Sequence, residues 1–166
     1  MANYSLPHFA DIETNSLEEG YVVQIDINGR EIKIDLNFNN KSIAPTRLDI
    51  AKQIIENITA FDKKNKQLIE QDFNDTDCDT VKGYVEHHLV EVGKEKLVNL
   101  VNFDDETTSP AIQLMHSLQL VRVGLYPDSK NQFAVFDYTI GRYLTQYLVV
   151  IHIDENLYLN YITMES

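Results

Sequence analysis

Asn28-Gly29 stands between two runs that alternate apolar with polar residues, and no other feature restricts the chain's folding options so tightly. A two-residue turn between paired strands needs positive φ at both positions, which Asn and Gly tolerate at little cost. The flanking runs, Tyr21 to Ile27 and Ile32 to Phe38, place Val23, Ile25 and Ile27 on one side and Ile32, Ile34, Leu36 and Phe38 likewise on one side. A half-buried antiparallel hairpin follows, with its charged residues outward.

The middle of the chain changes period. Pro45 suits a first helical turn, and Leu48, Ala51, Ile54, Ile55, Ile58 and Phe61 recur at helical spacing. The polar run Asp62 to Lys66 reads as a break, with a shorter helix from Gln67 to Phe73. A further helix is expected from Thr80, with Tyr84 and His88 on its apolar stripe, His87 outward and Gly93 interrupting it. Pro110 opens a last helical stretch that ends near His116.

The final third is strand-like at Leu118 to Tyr126, Gln132 to Thr139, Tyr147 to Ile153 and Leu157 to Thr163. Their short connections favour antiparallel neighbours, because a parallel crossover needs about a dozen residues or more. The expected fold is one α+β domain over residues 1–166, with an N-terminal hairpin, central helices and a C-terminal antiparallel four-stranded meander carrying the helices. Whether the hairpin joins that meander is left open.

Charge narrows the partners. Fourteen Lys and Arg against 26 Asp and Glu give a net charge of −12. Such a surface repels phosphate backbones and anionic lipid, so neither nucleic acid nor membrane is expected, and a basic protein partner is compatible. Met1 to Ala10 lacks the basic and apolar regions of a signal peptide, and the longest apolar run, Tyr147 to Ile151, cannot span a bilayer, so a cytoplasmic location is expected. Cys78 is the one cysteine, so an internal disulfide is impossible.

The candidate sites are few. Asp75, Asp77, Asp79 and Glu86 follow the ligand spacing of a calcium loop. However, Thr80 stands where such a loop needs glycine, and Lys82 stands at a position that is usually apolar. The acids are better explained as the start of a helix, with Asp77 or Asp79 capping it, and no metal and no cofactor is expected. His87-His88 lacks the spacing of a zinc-protease motif, and there is no nucleophile elbow or phosphate-cradling glycine loop. Tyrosines concentrate in the last third, and Tyr138, Tyr158 and Asn160 are the candidates for a recognition face on the sheet.

Three segments, Phe136 to Ile140, Thr145 to Val150 with Asp154-Glu155, and the ending Ile162 to Ser166, resemble a bacterial family catalogued as domain of unknown function number two thousand and four. The resemblance implies a fold and no assigned activity. It singles out Asp137, Glu165 and Ser166 as matched polar positions.

Three functions are in play. The leading one is a non-enzymatic protein-interaction domain, an immunity or adaptor protein for a basic partner. The alternative is a small-molecule binder or hydrolase, with His152, Asp137 and Tyr138 in a pocket between helices and sheet. The third is a homo-oligomer formed through the sheet face.

Overall fold

A computed structural model describes residues 2–166. The hairpin forms as its pattern requires, from β3 (Gly20–Ile27) and β4 (Arg30–Asn37). Asn28 and Gly29 take φ of 52° and 79°, and the Asp26 carboxylate accepts the Gly29 N–H at 3.0 Å. A two-stranded sheet of β1 (Asn3–Tyr4) and β2 (Ile12–Glu13) precedes it.

Five helices follow: α1 (Pro45–Glu56), α2 (Ile58–Asn74), α3 (Thr80–Glu91), α4 (Lys94–Leu97) and α5 (Pro110–His116). The helix break lies at Asn57, not at the polar run Asp62 to Lys66. That run stays helical with Asp62, at its head, and Lys66, at its end, both paired. Lys66 lies 3.4 Å from Asp62 one turn away, and Asp62 also accepts the Tyr138 hydroxyl at 2.9 Å. Gly93, with φ of 87°, separates α3 from α4, as expected of a residue free to take that conformation.

The last four strands are β5 (Gln119–Leu125), β6 (Ala134–Thr139), β7 (Leu148–Ile153) and β8 (Leu159–Glu165). They do not form a sheet of their own. The order is β3-β4-β5-β6-β7-β8 in one six-stranded sheet, with β4 and β5 parallel and the other neighbours antiparallel. The expected four-stranded antiparallel sheet is therefore corrected to a six-stranded mixed one. The helical segment between β4 and β5 is long enough for a parallel crossover, and the short-connection argument governs only the strands after it.

All the helices serve one side of this sheet. Ile34 and Leu36 of β4, Val123 and Leu125 of β5, Phe136 of β6 and Ile151 of β7 join one buried cluster with Leu48 and Ile54 of α1, Ile69 of α2 and Val85 of α3. Burial of each such side chain is worth about 1.5–3 kcal/mol. The opposite side of the sheet carries no helix, and there the polar residues gather.

Candidate functional site

A β-bulge builds the site. Along β5 the register runs Leu120 to Tyr138 and then Arg122 to Asp137, so Val121 is an extra residue. Strict alternation would put Arg122 on the same side as Leu120, in the apolar core. The bulge reverses the phase and turns Arg122 to the helix-free face. The register then sets Arg122 beside Lys33 on β4 and Asp137 on β6, with Asp35 two pairs further along.

The Arg122 guanidinium bridges two carboxylates. Its Nε and Nη2 donate to Asp35 at 2.6 and 2.8 Å, and Nη1 donates to Asp137 at 3.1 Å. Nη2 also donates to the Tyr126 hydroxyl at 3.0 Å, and the Asn37 amide adds a 2.6 Å bond to Asp35. Gly124 makes this possible. A Cβ there would lie 2.5 Å from Arg122 Nη2 and 2.9 Å from Val135, so glycine leaves the space across which the guanidinium lies.

The two acids respond differently to the same cation. Burial works to raise Asp35, but hydrogen bonds from Arg122 and Asn37 outweigh it and hold the carboxyl below its ordinary range. Burial raises Asp137, and its one bond to Arg122 does not compensate, with Glu165 and Asp35 adding repulsion. Asp35 holds the bidentate share of the guanidinium, which explains the split. Its hydrogen bonds in turn push Arg122 further up, so the cation is permanent.

A second group adjoins it. His152 is 2% exposed, between Val135 and Tyr161 in the register. The Gln132 amide bonds its Nδ1 at 2.9 Å, so Nε2 carries the proton and donates to Thr163 Oγ1 at 2.8 Å. The Tyr161 ring stacks on the imidazole at 4.2 Å, and Glu165 lies 3.8 Å from Nε2. Burial pushes His152 down, against the pull of Glu165 and Asp137.

Of the residues expected at a site, Asp137 and Glu165 meet on this face. Tyr138 does not. It points to the helices, fully buried, with its hydroxyl on Asp62, and burial pushes that hydroxyl up. Tyr158 is exposed beyond the β7–β8 turn. Asn160 is the extra residue at the β7–β8 register shift, and its amide donates to the Asn131 carbonyl. The tyrosines therefore form no continuous face. His152, Asp137 and Tyr138 do not share a pocket between helices and sheet, because Tyr138 lies on the other side of the sheet from the first two.

Asp35, Arg122, Gln132 and Thr163 were not singled out from sequence. The available signals were a carboxylate inside an alternating strand and a glycine two residues after an arginine in another.

The acidic connector does structural work. Asp75 accepts the Asp77 N–H at 2.9 Å, and Asp72 accepts the Val81 N–H at 2.9 Å, capping α3. Asp79 is the cap residue by backbone but makes no side-chain cap bond, so the expectation for Asp77 or Asp79 is corrected to Asp72. Glu86 is exposed on α3. Among the described residues, no three His, Cys, Asp or Glu side chains converge to hold a metal ion.

His88 is buried and fully bonded. Its Nδ1 meets the Tyr84 carbonyl at 2.6 Å and therefore carries the proton, so Nε2 accepts the Thr145 hydroxyl at 2.8 Å. Thr145 Oγ1 also accepts the Tyr147 N–H at 3.0 Å, which ties the β6–β7 loop to α3. His87, His88, Glu91, Lys96, Thr145 and Tyr147 line a surface cavity of about 360 Å³ there.

No family model, curated protein or solved structure matches this chain.

Proposed function

We propose that the chain is a protein-interaction domain that receives a basic partner on the helix-free face of its sheet, as an adaptor or immunity protein would. The observation that carries this reading is the charge of that face. The strand register aligns five carboxylates on it, from Asp26, Glu31, Asp35, Asp137 and Glu165, against the two cations Lys33 and Arg122. The buried Asp35–Arg122–Asp137 bridge fixes the middle of the face, while Asp26, Glu31 and Glu165 are exposed around it. Exposed charges of one sign speed the encounter with an oppositely charged partner and choose among partners. The resemblance of the last third to a bacterial domain of unknown function brings no chemistry to this proposal.

Capture from an extract of the source cell, at low and at high salt, tests it. Wild type is compared with Glu31→Lys/Glu165→Lys on the face and with Glu56→Lys/Glu70→Lys on the helices. The proposal expects a basic protein that is retained at low salt, released at high salt, lost with the face variant and kept with the helix variant. Capture of no basic protein, or equal capture by all forms, overturns it.

The small-molecule reading has one observation in its favour, the cavity beside His87 and Lys96. A metabolite-class ligand there would shift the His87 imidazole resonances in a proton NMR titration, whereas a partner on the sheet face would leave them unmoved.

A further inference from the structure

The two edges of the sheet are finished differently. On β8 the register breaks at Asn160, and Leu159, Tyr161 and Ile162 line a cavity together with the Asp72–Thr80 segment of the helical layer. A bulge and a neighbouring element are ways in which proteins blunt an edge strand. On β3 neither is present. The strand runs for 8 residues in unbroken register, and its sequence, Gly-Tyr-Val-Val-Gln-Ile-Asp-Ile, has no lysine and no proline.

The direction of its free backbone groups follows from the turn. A two-residue turn makes Ile27 and Arg30 a hydrogen-bonded pair, so Tyr21, Val23 and Ile25 also bond toward β4. The Phe38 N–H to Glu19 carbonyl bond, at 3.0 Å, continues the same phase. Gly20, Val22, Gln24 and Asp26 therefore present their N–H and C=O groups outward. These four residues are exposed, and no hydrogen bond from elsewhere among the described residues reaches those backbone groups. The side chains between them, Tyr21, Val23, Ile25 and Ile27, are apolar and only half-buried at the rim of the core.

We propose that β3 pairs antiparallel with β3 of a second copy of this chain, about a two-fold axis at Gln24. This site is separate from the face described above and does not depend on it. The charge pattern selects a second copy as the occupant. In this register Gln24 meets Gln24, Val23 meets Ile25 and Tyr21 meets Ile27, which extends the half-buried apolar row across both chains. Asp26 is the one charged residue on β3, and it stands opposite Val22 rather than opposite its own copy. Two chains of net charge −12 thus meet along the strand without opposing like charges. The result is a twelve-stranded sheet with both helix-free faces on the same side.

Sedimentation equilibrium of the full chain tests this, with Gln24→Pro and Val22→Glu as variants. Gln24 does not donate to β4, so proline there removes an outward donor and spares the hairpin. Val22→Glu sets a carboxylate opposite Asp26 of the second copy and leaves the backbone intact. The expected result is a wild-type dimer whose dissociation constant rises at least about tenfold in both variants, from a lost hydrogen bond in the first and opposed like charges in the second. In concentrated wild-type protein the amides of Val22, Gln24 and Asp26 should exchange more slowly than on dilution. A wild-type monomer up to about 1 mM, or a dimer that both folded variants leave unchanged, overturns the proposal.

Discussion

Arg122 holds Asp35 by two hydrogen bonds, of 2.6 and 2.8 Å, across the parallel ladder that joins the N-terminal hairpin to the rest of the sheet. An ion pair at that seam links residues 87 positions apart in the chain. Arg122→Ala leaves Asp35 and Asp137 buried without their cation. The expected loss is about 2–4 kcal/mol, below the roughly 3–5 of a fully buried pair, because part of the guanidinium keeps contact with water. Urea unfolding at pH 7 measures it. The deficit should shrink in acid, where the orphaned carboxyls take up protons, and Arg122→Met/Asp35→Asn/Asp137→Asn should recover most of it.

Gly124→Ala tests the space that the guanidinium occupies. The added methyl would meet Arg122 Nη2 and Val135 within 2.9 Å. Forced repacking of this kind costs about 1–3 kcal/mol. In an Arg122→Ala background one of the two obstacles is gone, so the same substitution should cost less. The double-mutant cycle reads that difference directly.

The fold was legible where local chemistry decides it. Asn28-Gly29 specified its hairpin, Pro45 and Pro110 their helix starts, and Gly93 a helix end. The joining of the hairpin to β5 was not legible, because parallel pairing leaves no turn residue to mark it. The polar run Asp62 to Lys66 looks like a break in sequence because the partner of Asp62, Tyr138, lies 76 positions away. The site was legible only in fragments. Asp137 and Glu165 stand out as polar positions in strand-like segments, but Arg122 reaches the open face through a bulge at Val121, and a bulge shifts every later side chain by one without any signature in composition.

Burial holds both His88 and His152 below the ordinary imidazole value of 6.5. The fold keeps each ring neutral where the unfolded chain binds a proton. Their contribution is therefore complete above about pH 6.5 and is lost as pH falls from there toward the lower folded values. Asp137, raised above 3.8, acts with the opposite sign, because its contribution is present in acid and lost as pH rises through its folded value. The urea midpoint should be lower at pH 5.5 than at pH 7.5. His88→Gln/His152→Gln should flatten that difference.

Thr145→Val removes the hydroxyl that His88 Nε2 accepts and that the Tyr147 N–H donates to. Leaving buried groups without partners costs about 1–3 kcal/mol. The same change should free the β6–β7 loop, seen as faster amide exchange at Tyr147 with the Asp35–Arg122 seam unaltered. Equal exchange in both forms would remove the clasp role from Thr145.

Carboxyl footprinting of the chain with its captured partner asks most directly which side of the sheet is used. Asp26, Glu31 and Glu165 should lose reactivity toward carbodiimide coupling when the partner is bound, while Glu56, Glu70 and Glu86 on the helices keep theirs. Protection confined to the helical side, with those three face carboxylates still reactive, would contradict the docking role of the open face.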